Sequence, residues 1–226
     1  MTDTESLTVV DATRRSLEIE DLGEHIRIAI TLSTHLDAAP ARVWPMLTEN
    51  RQLATWYGQV EGDLSEGGRF RTTSGASGRV LEVEEPHKLS LTWEVGDAVD
   101  PLLIRLDPED DGTTLLRLRH TVLMPRERFE EYGPGYAAIG WEIALLALAA
   151  ATGAWAPSCG PQVPAPTPGW LASAEGAAHL HAWSIRWAAQ AVAAGVDEQL
   201  ARRGEDNTIA AHVDARFSGG RGPAAA

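Results

Sequence analysis

The fold is decided by residues 114–151, whose sequence is TLLRLRHTVLMPRERFEEYGPGYAAIGWEIALLALAAA. Its first part, residues 114–124, alternates apolar and polar side chains, which is typical of a strand with one buried face. Residues 126–131 have the pattern of a single helical turn. Residues 135–151 form a nearly continuous apolar run, which is typical of a buried helix. The segment therefore predicts a long strand that leads into the central helix of the protein.

Further strands precede this segment. From residue 25 onward, apolar residues again alternate with others, which predicts a half-buried strand. Two short helices are expected next, the first capped by Asp37 with Pro40 in its first turn. Tight turns rich in Gly, Pro and Asp separate the remaining strands, predicted over residues 59–63, 69–73, 79–84, 88–94 and 102–107. Such spacing favours an antiparallel meander.

The two ends of the chain have a different character. Residues 1–23 are polar and predict a flexible N-terminal arm. Residues 157–169 hold five prolines, which indicates an exposed linker. Residues 170–218 return to helical periodicity as an extension, and residues 219–226 predict a disordered tail. The extension carries an apolar stripe formed by Leu180, Trp183, Trp187 and Ala191.

The composition limits the classes of partner. Nineteen basic and 32 acidic residues give a formal net charge of −13, which disfavours nucleic acid and anionic membrane surfaces. The single cysteine, Cys159, permits no intrachain disulfide and suits a reducing compartment. The first residues lack the pattern of a signal peptide, and the apolar run near residue 140 includes Glu142, which favours a buried helix over a membrane span. A cytoplasmic location without membrane insertion is expected.

The ordered motifs resemble those of a known superfamily. They are P-x-x-V-W at residues 40–44, G-G-x-F at 67–70, Glu85-Pro86, L-x-W at 91–93, T-x-L-x-L-x-H at 114–120, and Gly140-Trp141. This set resembles the START-like (SRPBCC, helix-grip) superfamily, most closely the branch named for activators of the heat-shock-protein-90 ATPase and their homologues. The resemblance covers residues 24–151.

The resemblance implies an α+β helix-grip fold over residues 24–156, in which a curved antiparallel sheet of about seven strands wraps around the long helix. It also implies a hydrophobic cavity between sheet and helix. Relatives bind lipids, sterols or polyketides, and some are cyclases. The expected function is therefore the binding of a lipid-like or polyketide-like hydrophobic molecule, with no cofactor.

Five residues are candidates for contact with such a ligand: Trp44, Trp56, Trp93, His120 and Trp141. The four tryptophans stand at aromatic positions of the family pattern and would supply flat apolar walls. Alternatively they fill the core. His120 shares a strand face with Leu116 and Leu118, so it either reaches the cavity or forms a structural hydrogen bond.

Two other functions remain open at this stage. The first is a cyclase or aromatase, in which His120 or Glu82 would move a proton. Glu82 would then turn inward beside Arg105 or Arg117, whereas a strand glutamate facing water is the alternative. The second is a chaperone-linked or regulatory interaction module.

Partners and metals are also predicted from the sequence. The apolar stripe of the extension either packs on its own domain, caps the cavity or forms a homodimer. No metal site is expected, since His179 and His181 diverge on a helix and no cysteine or carboxylate cluster accompanies them.

Overall fold

The computed structural model describes residues 8–217, with side chains described as far as residue 212. The strands are β1 (Thr13–Asp21), β2 (His25–Leu36), β3 (Val60–Gly62), β4 (Arg69–Thr72), β5 (Ser77–Glu84), β6 (Lys88–Val95), β7 (Ala98–Pro108) and β8 (Thr114–Pro125). The helices are α1 (Pro40–Thr48), α2 (Asn50–Leu53), α3 (Arg126–Tyr132), α4 (Gly135–Thr152), α5 (Ala156–Cys159), α6 (Pro168–Leu171), α7 (Ala174–Ala193) and α8 (Glu198–Phe217). Every strand and helix expected between residues 25 and 151 is present.

All eight strands form one antiparallel sheet in the order β1-β2-β8-β7-β6-β5-β4-β3. The two central strands follow the expected alternation. On β8, every second residue from Thr114 to Met124 is buried. On β2, Ile30 lies opposite His120 of β8 and is buried on the same face. The predicted α+β helix-grip architecture is thus confirmed, with one strand more than expected.

Helix α4 is the element that the sheet grips. It is apolar on nearly all sides, and Ala138, Ile139, Leu146 and Ala149 have no exposed surface. By length and composition it is also the one described helix that could cross a membrane, yet 61% of its apolar window is buried inside the fold. An all-round apolar helix of this kind is the core helix of a globular domain.

The additional strand corrects the prediction of a flexible arm over residues 1–23 for its residues 13–21, whereas residues 1–7 lie outside the described residues. Residues 13–21 form β1, which pairs with β2 along its whole length, Thr13 opposite Thr34 and Asp21 opposite Ile26. Its inward positions include Leu17 and Ile19, but also Arg15. A charged residue at an inward position interrupts the apolar alternation, so the strand signal was too weak to detect.

Arg15 is buried because it forms an ion pair with Glu142 of α4. Its Nε and one Nη donate to the two carboxylate oxygens over 2.6 and 3.0 Å, and the side chains are 4% and 1% exposed. Trp187 of α7 donates its indole N–H to the same carboxylate over 2.9 Å. Two further Arg15 N–H hydrogens donate to the carbonyls of Val10 and Thr13. One buried carboxylate therefore joins β1, α4 and α7.

The C-terminal extension contains two long helices, α7 and α8. Leu180, Trp183, Trp187 and Ala191, the predicted stripe, are at most 2% exposed. They pack within the chain itself, with α7 against α4, β1 and α8. The stripe is therefore not a free surface for the homodimer that the sequence suggested. Two short helices, α5 and α6, include the first and the last residues of the proline-rich linker. The predicted tail at residues 219–226 lies outside the described residues.

The buried ion pair gives a direct test of this arrangement. We expect R15A to lower the free energy of unfolding by about 3–5 kcal/mol, because it leaves the Glu142 carboxylate buried without its cation. The matched control is R119A. It removes an exposed bidentate ion pair between Arg119 of β8 and Glu18 of β1, and we expect it to lower the free energy of unfolding by about 0–1 kcal/mol. Urea denaturation of both variants measures the difference. Equal costs would mean that the buried pair does not hold β1 in place.

Candidate functional site

An aromatic-walled cavity of about 80 Å³ lies between the sheet and α4. We call it the inner cavity. Strands β3, β4, β6 and β7, the ends of α1 and α2 and the middle of α4 surround it; its lining residues are Leu47, Leu53, Trp56, Tyr57, Val60, Leu64, Phe70, Thr72, Leu89, Leu91, Trp93, Leu102, Ile104 and Trp141. The L-x-L-x-W alternation of β6 brings Leu89, Leu91 and Trp93 to this side. The interior surface is therefore almost wholly apolar.

Trp93 is the centre of an aromatic cluster at this cavity. Its ring lies 5.0 Å from that of Trp141, 6.0 Å from that of Phe70 and 6.4 Å from that of Tyr57, measured between centroids. Phe70 can lie over β5 because its cross-strand neighbour is Gly78. A Cβ at Gly78 would meet the Phe70 ring at 2.6 Å. The cluster gives the cavity flat walls in fixed orientations.

A second and larger depression lies on the other side of Trp56 and Tyr57. This outer cleft has a volume of about 510 Å³ and is bounded by the small residues Ala147, Ala150 and Ala151 of α4 and by the proline-rich linker over residues 163–168. Trp56 and Tyr57 line both spaces, so these two residues form the partition between them. The linker, which the sequence predicted only as an exposed connection, is thus one wall of a cleft.

The partition is held by hydrogen bonds at both of its residues. Trp56 donates its indole N–H to the carbonyl of Met46 over 2.9 Å, and the Tyr57 hydroxyl is hydrogen-bonded with Ser74. Burial raises the pKa of Tyr57 to about 12, so its phenol stays neutral. Trp56 is only half-buried and also borders the outer cleft.

His120 does not line the inner cavity, although it lies on the inner face of β8. It is completely buried behind Trp141, whose indole N–H donates to its Nδ1 over 3.1 Å. Because Nδ1 accepts, the neutral ring carries its hydrogen on Nε2. Burial lowers the pKa of His120 to about 4. In this structure His120 accepts from Trp141 and thereby orients that ring.

Asp100 is a buried acid that the sequence did not single out. One of its oxygens lies 4.0 Å from Nε2 of His120, and the other accepts a long hydrogen bond of 3.4 Å from the main-chain N–H of Leu123. Its side chain is 8% exposed, and burial raises its pKa to about 6. A single aspartate in a strand gives no sequence signal that separates it from a surface residue.

Two other predicted site residues lie away from the inner cavity. Trp44 is buried in α1 as part of the hydrophobic core and does not line the space. Glu82 is exposed and pairs with Lys88 over 2.7 Å, not with Arg105 or Arg117. The physical reason is an irregularity in the β5–β6 register between Val80 and Glu82, which turns Glu82 away from the face of Val80.

Of the five predicted ligand contacts, Trp56, Trp93 and Trp141 line the inner cavity. The sequence missed Tyr57, although it directly follows Trp56 and shares the partition. It also missed the linker wall, because proline content alone does not indicate what a segment packs against.

The family comparison agrees with this architecture. The family model described as activator of Hsp90 ATPase homolog 1-like protein matches residues 37–153. No curated protein matches the chain.

Solved structures extend the similarity beyond those residues. The chain is 27% identical to CalU16 from Micromonospora echinospora in its crystal structure, covering 79% of this chain and 98% of that one with a TM-score of 0.59. The solution structure of the same protein gives 26% identity, 86% and 100% coverage, and a TM-score of 0.61. SA2116 from Staphylococcus aureus shares the fold alone, at 15% identity, 57% and 96% coverage and a TM-score of 0.51.

The raised pKa of Asp100 predicts a specific pH dependence. A carboxyl that binds its proton more tightly in the folded state loses stabilisation as pH rises from about 4 to about 6. Relative to D100N, the wild-type protein should therefore lose up to about 3 kcal/mol of unfolding free energy across that window. Urea titrations at pH 4 and pH 7 measure it, with D97N, at an exposed carboxylate of the same hairpin, as control. If the difference in unfolding free energy between the wild-type protein and D100N were the same at both pH values, the prediction would be wrong.

Proposed function

The chain belongs to the family of activator of Hsp90 ATPase homolog 1-like proteins, and on that premise we propose that it binds a hydrophobic small molecule between the sheet and α4. The observation that carries this proposal is the pair of spaces divided by Trp56 and Tyr57. The inner cavity offers apolar aromatic walls, and the outer cleft offers volume.

The two volumes decide how a ligand would be held. Small-molecule sites typically measure about 300–1,000 Å³. The inner cavity, at about 80 Å³, takes only a ring or a short chain, whereas the outer cleft, at about 510 Å³, takes the body of a lipid-like or polyketide-like molecule. A ligand would thus place one end among the aromatic residues and the remainder beneath the linker, with the half-buried Trp56 turning aside to join the two spaces.

Apolar contact would supply most of the binding free energy. Burying apolar surface contributes about 25 cal/mol per Å². The inner walls are formed by Leu, Val, Ile, Phe and Trp side chains, whose rings are already fixed by mutual contact. This favours a carrier or sensor of an apolar compound.

The cyclase or aromatase alternative has less support. Neither of its two proposed proton-transfer groups lines the inner cavity, since Glu82 faces water and His120 lies behind Trp141. The interaction-module alternative comes from the name of the family. Its physical requirement is an exposed apolar patch, and the exposed Val99 and Leu123 on β7 and β8 are its best candidates.

Native mass spectrometry tests the proposal directly. The gently purified protein should carry one small apolar molecule at unit stoichiometry, which is released on denaturation and identified by its mass. A protein that carries nothing and binds none of a panel of neutral apolar probes would contradict the function. Partner capture with V99S and L123S as matched variants would then test the interaction module.

A substitution in the outer cleft gives a second test. We expect A147W to weaken binding of the neutral fluorescent probe N-phenyl-1-naphthylamine by about tenfold or more, because the new indole fills space that the ligand needs. The control is A178W, which adds the same side chain at an exposed position of α7. Fluorescence titration measures both. Unchanged affinity in A147W would remove the outer cleft from the site.

A further inference from the structure

The polar groups around the inner cavity are unequally satisfied. Five lining side chains carry a polar atom: Trp56, Tyr57, Thr72, Trp93 and Trp141. Four of them have protein partners, namely the carbonyl of Met46 for Trp56, Ser74 for Tyr57, Ser74 and the carbonyl of Ala76 for Thr72, and His120 for Trp141. Among the described residues, the indole N–H of Trp93 finds no acceptor.

This unpartnered donor is deeply buried. Trp93 is 7% exposed, and the contacts with Tyr57, Phe70 and Trp141 hold its ring on three sides. Its cross-strand neighbour Asp100 accepts instead from a main-chain N–H. Leaving a buried N–H without an acceptor costs roughly 1–3 kcal/mol in proteins, which is why such groups are rare and need an explanation.

From this observation we infer that the inner cavity selects neutral apolar molecules carrying one hydrogen-bond acceptor, such as a ketone or quinone oxygen, which the indole N–H of Trp93 binds. The inference rests on the proposed function and specifies its ligand class. The nitrogen itself is buried, so the acceptor reaches it as the ligand enters and shifts the Trp93 ring against its neighbours.

The chemistry of the lining excludes other ligand classes. No Lys, Arg or His side chain is among the described residues around the inner cavity, so a carboxylate or phosphate would be buried without a counter-charge. An alcohol brings a donor hydrogen as well as an acceptor, and the hydroxyls of Tyr57 and Thr72 are already engaged. A water molecule needs two to four polar partners and would find one free donor.

The experiment compares probes of nearly equal shape. Acetophenone has an acceptor, ethylbenzene has none, and 1-phenylethanol has both an acceptor and a donor. Wild-type protein should bind acetophenone about tenfold more tightly than ethylbenzene, the value of one neutral hydrogen bond, with 1-phenylethanol between them. W93F keeps an aromatic ring but lacks the N–H. This variant should bind acetophenone and ethylbenzene with about equal affinity.

The chain offers a matched control. Trp170 also has a buried indole N–H with no acceptor among the described residues, yet it lines neither the inner cavity nor the outer cleft. W170F should therefore keep the wild-type preference. Because each variant is judged by a ratio between two probes, a general loss of stability or cavity shape cancels.

The outcomes separate the inference from the proposed function. Equal binding of all three probes by the wild-type protein, or an unchanged preference in W93F, would overturn the acceptor inference while leaving hydrophobic binding intact. Binding of none of them would overturn both. A direct readout accompanies these titrations: the indole ¹H–¹⁵N resonance that disappears in W93F should move downfield in ¹H when acetophenone is added to wild-type protein, and should lack that downfield shift with ethylbenzene, which contributes only its ring current.

Discussion

The structure depends on one buried charge. Glu142 lies on the helix that the sheet surrounds, where an unpaired carboxylate would be prohibitively costly. Arg15 and Trp187 satisfy it from opposite ends of the sequence. The N-terminal strand and the C-terminal helices are consequently integral to the domain, because each supplies a group that makes burial of the same carboxylate tolerable.

The need to give buried polar groups hydrogen-bond partners also determines the surface of the space beside α4. Apart from the indole N–H of Trp93, the indole and hydroxyl groups around the inner cavity are directed to carbonyls, to Ser74 or to His120, so that what remains facing inward is mostly hydrocarbon and aromatic surface. His120 has a structural part in this, since its neutral ring accepts from Trp141 and fixes one wall. His120, a residue type that often takes part in acid–base chemistry, here holds the Trp141 ring in position.

Much of the fold could be predicted from the sequence, and less of the site. The alternation of Leu116, Leu118 and His120 predicted β8 because half-buried strands repeat every two residues. The pattern failed where a polar group is buried with a distant partner. Arg15 interrupts the apolar alternation of β1, and the residue that allows its burial, Glu142, lies 127 residues away. At Glu82 the sequence left an inward and a water-facing orientation open, and an irregular residue pairing between Val80 and Glu82 turns the side chain to water. Such orientations depend on three-dimensional packing, which no local pattern contains.

The place of β2 in the sheet has a consequence for where the protein can be divided. The residues that define the family begin at residue 37, whereas β2 ends at Leu36 and lies between β1 and β8. A polypeptide reduced to those residues would present the whole length of β8 as an unpaired apolar edge, a surface that recruits strands from other molecules. The region matched by the family is therefore smaller than the sheet that surrounds α4, and a protein cut at the family boundary would expose a strand edge that favours self-association.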